Sequence, residues 1–226
     1  MTTCYIHLPD VYRYLGYGGY QPDHTTQTQI DALSQRLETV AQVKGIYRSF
    51  PLEWKEGTPY CVGTTLGFEG NSVSTLLKES SHCMILAITL GHSVDTWLKQ
   101  LQVQDMSQAV IADACASSLV EQYCDQLEEE ARGTIGEKFF TDRFSPGYGD
   151  LPLSTQLPFC QVLDTSRKIG LSVSSTALLQ PKKSITALLG VCDTPQPMTI
   201  KGCDHCSLRE VCALRKGGKS CGSSTI

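Results

Sequence analysis

An α+β fold, a mixed or antiparallel sheet packed with helices, is the class that this 226-residue sequence predicts. Three observations carry that expectation. Apolar residues recur at helical spacing over 25–43 and 106–131. Cys83–Leu90 (CMILAITL) is a continuous apolar run of strand length, as a fully covered central strand requires. The remaining strand-like segments arrive as neighbouring pairs, which favours an antiparallel arrangement over a doubly wound sheet. Hydrophobic residues make up 41% and charged residues 19% of the chain, a globular balance. A chain of this length buries a core without disulfide staples.

Taken in order, the first 25 residues are rich in tyrosine and turn formers (Gly16, Gly18, Gly19, Pro22), and no element is predicted there. Ile30, Leu33, Leu37 and Val40 mark an amphipathic helix over 25–43, which Lys44-Gly45 should end. Residues 46–52 and 58–66 read as two strands joined by the polar 53–57. Asn71 can cap a short helix through Leu77. After the central strand come a helix over 93–101 and a long one over 106–131, with Ala109, Ala112, Leu119, Tyr123 and Leu127 inward and Gly133 as its cap. Residues 142–152 form a loop. A helix follows over 154–168, with Pro158 tolerated in its first turn, and then strands over 169–174 and 184–191. One domain should therefore occupy residues 1–191. A cysteine-rich tail, 192–226, follows, opening with a proline-bearing linker (194–197).

Composition excludes several function classes. The net charge of -4 lacks the basic surplus of a non-specific nucleic-acid binder. The N-terminus carries no basic-then-apolar secretion signal, and no apolar stretch is long enough to span a bilayer. A soluble, cytoplasmic protein with no membrane or nucleic-acid partner is expected. Eleven cysteines in a reducing compartment should be core thiols, reactive thiols or metal ligands. Cys83, Cys115 and Cys124 read as small core hydrophobes.

The segment Arg143-Phe144-Ser145-Pro146-Gly147-Tyr148-Gly149-Asp150 is the most informative. Pro146 and Gly147 suit the central positions of a type II turn, since proline presets φ and glycine accepts φ > 0. Arg143 offers a planar fork matched to a carboxylate, and Tyr148 an aromatic face. By themselves these are also the residues of an ordinary surface turn.

The arginine–x–x–proline–glycine–tyrosine pattern resembles the signature of the activation domain of cobalamin-dependent methionine synthase, whose loop binds S-adenosylmethionine. Leu86-Ala87-Ile88-Thr89-Leu90-Gly91 is similar to that family's apolar strand ending in threonine–x–glycine. Asp105–Glu130 resembles its long alanine-rich helix, and Leu179–Thr186 its later strand entry. The likeness covers roughly residues 80–191; the first 70 residues resemble the family much less.

What the resemblance implies is specific. Arg143 would hold the ligand carboxylate, and Ser145, Pro146, Gly147 and Tyr148 the adenosyl part. Glu137 and Glu121 would be acidic ligand residues, each of which otherwise reads as part of a solvated helix face. The protein would support reductive methylation of cobalamin carried by a partner, a methionine synthase or related corrinoid methyltransferase. An electron donor such as flavodoxin or ferredoxin would complete the system. The chain would be a methyltransferase component with S-adenosylmethionine as methyl donor and no acid–base residue of its own. Where the family places a tyrosine pair, this sequence has Leu188 and Leu189.

The tail holds Cys203, Cys206, Cys212 and Cys221 with the spacing C-x2-C-x5-C-x8-C, and Cys192 lies just upstream. Zinc and a [4Fe–4S] cluster fit that spacing equally, and a metal-free redox-sensitive tail is the plainer alternative. Two rival functions follow: an iron–sulfur electron-transfer activator of a corrinoid protein, or a zinc-stabilised binding module without catalysis.

Overall fold

The computed structural model describes residues 6–17 and 20–196. Helix α1 (Leu8–Tyr14) lies in the tyrosine-rich start, where sequence reading predicts no element. A proline in its first turn presets φ. Helix α2 (His24–Val40) begins at Asp23, whose carboxylate accepts from the Thr26 amide at 3.0 Å, and buries Ile30, Leu33 and Leu37 as its spacing predicts. It stops at Val40, before the expected Lys44-Gly45 cap, because Ala41 is already extended. Gly45 instead sits in strand β1 (Lys44–Lys55), where a Cβ would come within 3.0 Å of a Leu127 methyl. Close packing, not helix termination, is its role.

β1 folds back onto β2 (Thr58–Cys61) with Lys55 opposite Thr58, so Glu56 and Gly57 alone make the turn. Both have positive φ (50° and 81°), the two-residue hairpin geometry that matches strand twist. The five-residue connection expected from polarity is thus shorter. Helix α3 (Asn71–Leu77) precedes β3 (Ser80–Thr89), in which Cys83 through Ile88 are fully buried. That burial accounts for the unbroken apolar run.

Helices α4 (His92–Gln104) and α5 (Met106–Ile135) follow. α5 continues through Gly133, and the positive-φ Gly136 lies just past its end. Beyond it come β4 (Phe139–Phe140) and, after a 3₁₀ turn at Leu153–Thr155, α6 (Gln156–Leu163) and α7 (Thr165–Ile169). One helix over 154–168 was the expectation. The left-handed Asp164 (φ 55°) divides it, and the carboxylate of Asp164 accepts from Arg167 at 2.7 Å. Short strands β5 (Ser172–Val173) and β6 (Leu179–Gln180) form a separate ribbon, and β7 (Ser184–Cys192) closes the described chain.

The class is α+β, as predicted: helices with a five-stranded antiparallel sheet in the order β2-β1-β3-β7-β4. Two compact units make up the chain. The first comprises residues through Ile46, Ala87–Glu130 and Asp164–Ile185; the second comprises Tyr47–Leu86, Ala131–Leu163 and residues from Thr186 on. In the first, Ile30, Leu37, Ile88 and Leu119 are fully buried. The second centres on Phe68 and Phe159, both fully buried, whose rings meet edge to face at 6.0 Å. Cys61, Cys83, Cys115, Cys124, Cys160 and Cys192 are free and buried, so the cysteines expected to be core hydrophobes are so. Among the described residues, no helix is long and apolar enough to cross a membrane.

Candidate functional site

The arginine-bearing loop is built off β7. Phe139 and Phe140 pair with Cys192 and Val191. The pairing then runs on irregularly: the Thr141 amide donates to the Gly190 carbonyl (3.0 Å), and the Gly190 amide to the Thr141 hydroxyl (2.8 Å). Phe144 and Leu188 exchange two amide–carbonyl bonds of 2.9 Å. Residues 139–144 therefore track a buried strand almost to its middle. They bring Arg143, half-buried and engaged in interactions of its own, to the loop entrance.

The chain then turns sharply. The Tyr148 amide donates to the Ser145 carbonyl at 3.1 Å, with Pro146 and Gly147 between them. Gly147 has φ 92°, which only glycine adopts without strain and which the third position of a type II turn requires. A second closure locks the first: Gly147 N–H reaches the Leu151 carbonyl at 2.9 Å, and Leu151 N–H the Tyr148 carbonyl at 3.0 Å. Pro146 is buried, Ser145 half-buried, and Tyr148 is 69% exposed. The turn predicted from Pro146-Gly147 is present, with its aromatic ring in solvent.

What holds the loop down was not visible in the sequence. The Asp150 carboxylate accepts from the backbone amides of Asn71 (2.6 Å) and Ser72 (3.2 Å), at the start of α3. Asn71 was expected to cap that helix; the cap is supplied instead from a distant part of the chain. Burial alone would raise the Asp150 carboxyl, but hydrogen bonds from Ser72 and Asn71 outweigh it and hold it below the ordinary carboxylate range. Gly70 (φ 128°) leaves space for this carboxylate, since a Cβ there would lie 2.8 Å from it. A Cβ at Gly149 would similarly meet Ser72 Oγ at 2.9 Å. No local motif signals a cap contributed from 79 positions away.

The acidic residues are placed differently. Glu137 is exposed, between α5 and β4 in the same unit as the loop. Glu121 belongs to the first unit, half-buried on α5. There, burial first and the Glu121 carboxylate second push the Tyr14 phenol above its ordinary pKa. Leu188 and Leu189 are fully buried in β7, so those positions present packing groups to the core and no ring to a ligand.

The cysteines Cys203, Cys206, Cys212 and Cys221 lie outside the described residues. Cys192 is a core group, its sulfur 3.2 Å from Ser80 Oγ. Among the described residues, no cluster of three or more histidine, cysteine or acidic side chains could hold a metal.

No family model matches the sequence, and no curated protein matches it. Among solved structures, the chain is similar to one described as the MetH reactivation domain bound to AdoHcy. The TM-score is 0.63 at 13% identity, over 93% of this chain and 82% of that one. At that identity the likeness shows a shared fold.

Proposed function

We propose that this chain binds S-adenosylmethionine at the loop 143–150 and supports reductive methylation of cobalamin carried by a partner methionine synthase or corrinoid methyltransferase. The observation that carries the reading is the type II turn Ser145–Tyr148, set behind a half-buried arginine in a fold shared with a domain crystallised with AdoHcy.

The residues fit the ligand's chemistry. S-adenosylmethionine carries a carboxylate, an ammonium and a sulfonium. Arg143 supplies a guanidinium for the first. Glu137, in the same unit as the loop, is the carboxylate we assign to the cationic groups. The Pro146–Gly147 corner presents bare backbone on which a flat adenosyl group can lie, and the exposed Tyr148 ring adds a stacking face.

When bound, the ligand would supply an activated methyl group for the partner's cobalamin, with the one electron needed to reduce its inactive cob(II) form coming from a donor such as flavodoxin or ferredoxin and S-adenosylhomocysteine as the product left behind. This chain's part is positioning. Holding donor and acceptor in line makes the encounter effectively unimolecular, and the positive sulfonium needs no general acid.

Calorimetry with S-adenosylhomocysteine and S-adenosylmethionine tests the reading. Arg143→Ala should lose about 2 kcal/mol, since a charge-assisted bond is removed and the ligand carboxylate loses its partner. Arg143→Lys should lose less, because it keeps charge but not the fork. Absence of heat and of thermal shift in the wild type at millimolar ligand sinks the proposal.

A further inference from the structure

We infer that Asp150 is the positioning residue of the ligand loop, acting through the start of α3 without touching ligand; this rests on the S-adenosylmethionine reading above. Three observations converge. Asp150 is two residues past the turn and spends its carboxylate on the Asn71 and Ser72 amides. Gly70 and Gly149 come so close to the other side of this contact that a methyl group on either would collide at 2.8 Å and 2.9 Å respectively. Between turn and cap, the bonds Gly147 N–H to Leu151 O and Leu151 N–H to Tyr148 O leave little slack.

The loop is therefore pinned at both ends. Pairing with β7 fixes its entrance at Phe144, and the Asp150 cap fixes its exit. An exposed loop pinned only at its entrance would sample many conformations, and ligand would select the competent fraction. Apparent affinity falls in proportion to that fraction. The cap removes this loss by keeping the turn formed before ligand arrives. The segment 67–72, which has little likeness to the methionine synthase family in sequence, thereby becomes part of the binding machinery.

The test compares wild type, Asp150→Ala, Asp150→Asn, Gly70→Ala and the Asp150→Ala/Gly70→Ala double variant. S-adenosylhomocysteine affinity is read by calorimetry, and loop opening by amide hydrogen exchange of the peptide spanning 144–151. Asp150→Ala should weaken binding about tenfold and speed exchange of the Gly147, Tyr148 and Leu151 amides, with β7 exchange unchanged. Asp150→Asn, which keeps an acceptor oxygen, should recover part of both. Gly70→Ala, which attacks the same contact from the other side, should weaken binding, and the double variant should be no worse than the poorer single one. Wild-type binding that Asp150→Ala leaves within about twofold overturns the inference, even if the variant melts earlier, because the residue is then only a helix cap. Additive losses in the double variant overturn it too. If the wild type binds no ligand, the ligand reading falls and takes this inference with it; unchanged exchange in Asp150→Ala would show separately that the carboxylate does not hold the loop. Should Asp150→Ala fail to fold, Asp150→Asn and Gly70→Ala carry the same comparison.

Discussion

Replacing Gly147 by alanine tests the loop geometry without reference to any ligand. At φ 92° an L-residue brings its Cβ against the neighbouring carbonyl, at a cost of about 1–2 kcal/mol. The new methyl would also meet Leu153 Cδ1 at 3.1 Å, but Leu153 is 38% exposed and can swing aside. Alanine restricts the unfolded chain, which offsets about 0.4–1 kcal/mol. The turn could escape the strain by flipping the Pro146–Gly147 peptide to type I. That flip turns the Gly147 N–H away from Leu151 O, a 2.9 Å bond, and forfeits about 0.5–1.5 kcal/mol. Neither route is free, so Gly147→Ala should destabilise the protein by about 1 kcal/mol, a fall in Tm of about 2–4 °C for a chain of this size. Gly147→Asn is the control, since asparagine tolerates positive φ far better; it should lose about half as much. Thermal melts and urea titrations of the three proteins measure this. A Gly147→Ala protein at least as stable as wild type, or an asparagine variant no better than alanine, would refute the turn assignment.

Other outcomes follow from the packing. Phe159→Ala removes a fully buried ring that meets Phe68 edge to face and should cost about 3–5 kcal/mol in a urea titration. Gly45→Val places a branched side chain where even a Cβ lies 3.0 Å from Leu127; overpacking should cost about 1–3 kcal/mol, whereas a cap role would predict no such size dependence. The six buried cysteines should resist alkylation at pH 8 until urea is added, because reagent cannot reach them; at Cys83 burial, reinforced by Cys61, also pushes the thiol upward. Native protein should therefore label at no more than five of eleven thiols by intact mass; labelling at Cys83 without denaturant would contradict the fold. For Asp150, whose folded pKa is depressed, the stabilisation is present above the unfolded value of about 3.9 and lost as pH falls through the folded one. The melting-temperature gap between wild type and Asp150→Asn should hold at neutral pH and close below about pH 4.

Elements whose fate is decided by burial were legible in the sequence, and elements decided by backbone exceptions were not. The run Cys83–Ile88 announced a strand covered on both faces, and every one of its residues is fully buried. Ile30, Leu33 and Leu37 marked α2 because a half-buried helix needs an apolar stripe. By contrast, the helix expected over 154–168 breaks at Asp164, a non-glycine residue in left-handed conformation, which no periodicity encodes. Gly45 looked like a helix terminator because a glycine after an amphipathic stretch usually is one. Its actual reason, the Leu127 side chain, lies 82 positions along the chain. Helix α1 buries only Val11, too little apolar signal to stand out against the tyrosines and glycines around it.

The site divides along the same line. Pro146-Gly147 forms a turn because the two residues' own backbone preferences demand it, so that much could be read locally. Which way the turn faces and how firmly it is held depend on β7 and on the α3 start, elements that close on the loop only in the folded chain. The same reasoning accounts for a shared fold at 13% identity. A buried sheet asks for apolar residues of fitting volume, which many sequences satisfy, whereas a ligand loop asks for a few particular groups and for whatever holds them still. If Asp150 and Gly70 are what hold this loop, its support comes from a contact outside the arginine–x–x–proline–glycine–tyrosine pattern. Likeness in the motif and likeness in the support then vary independently, and a relative with the arginine and the turn but no anchoring carboxylate should bind more weakly unless another contact pins its loop.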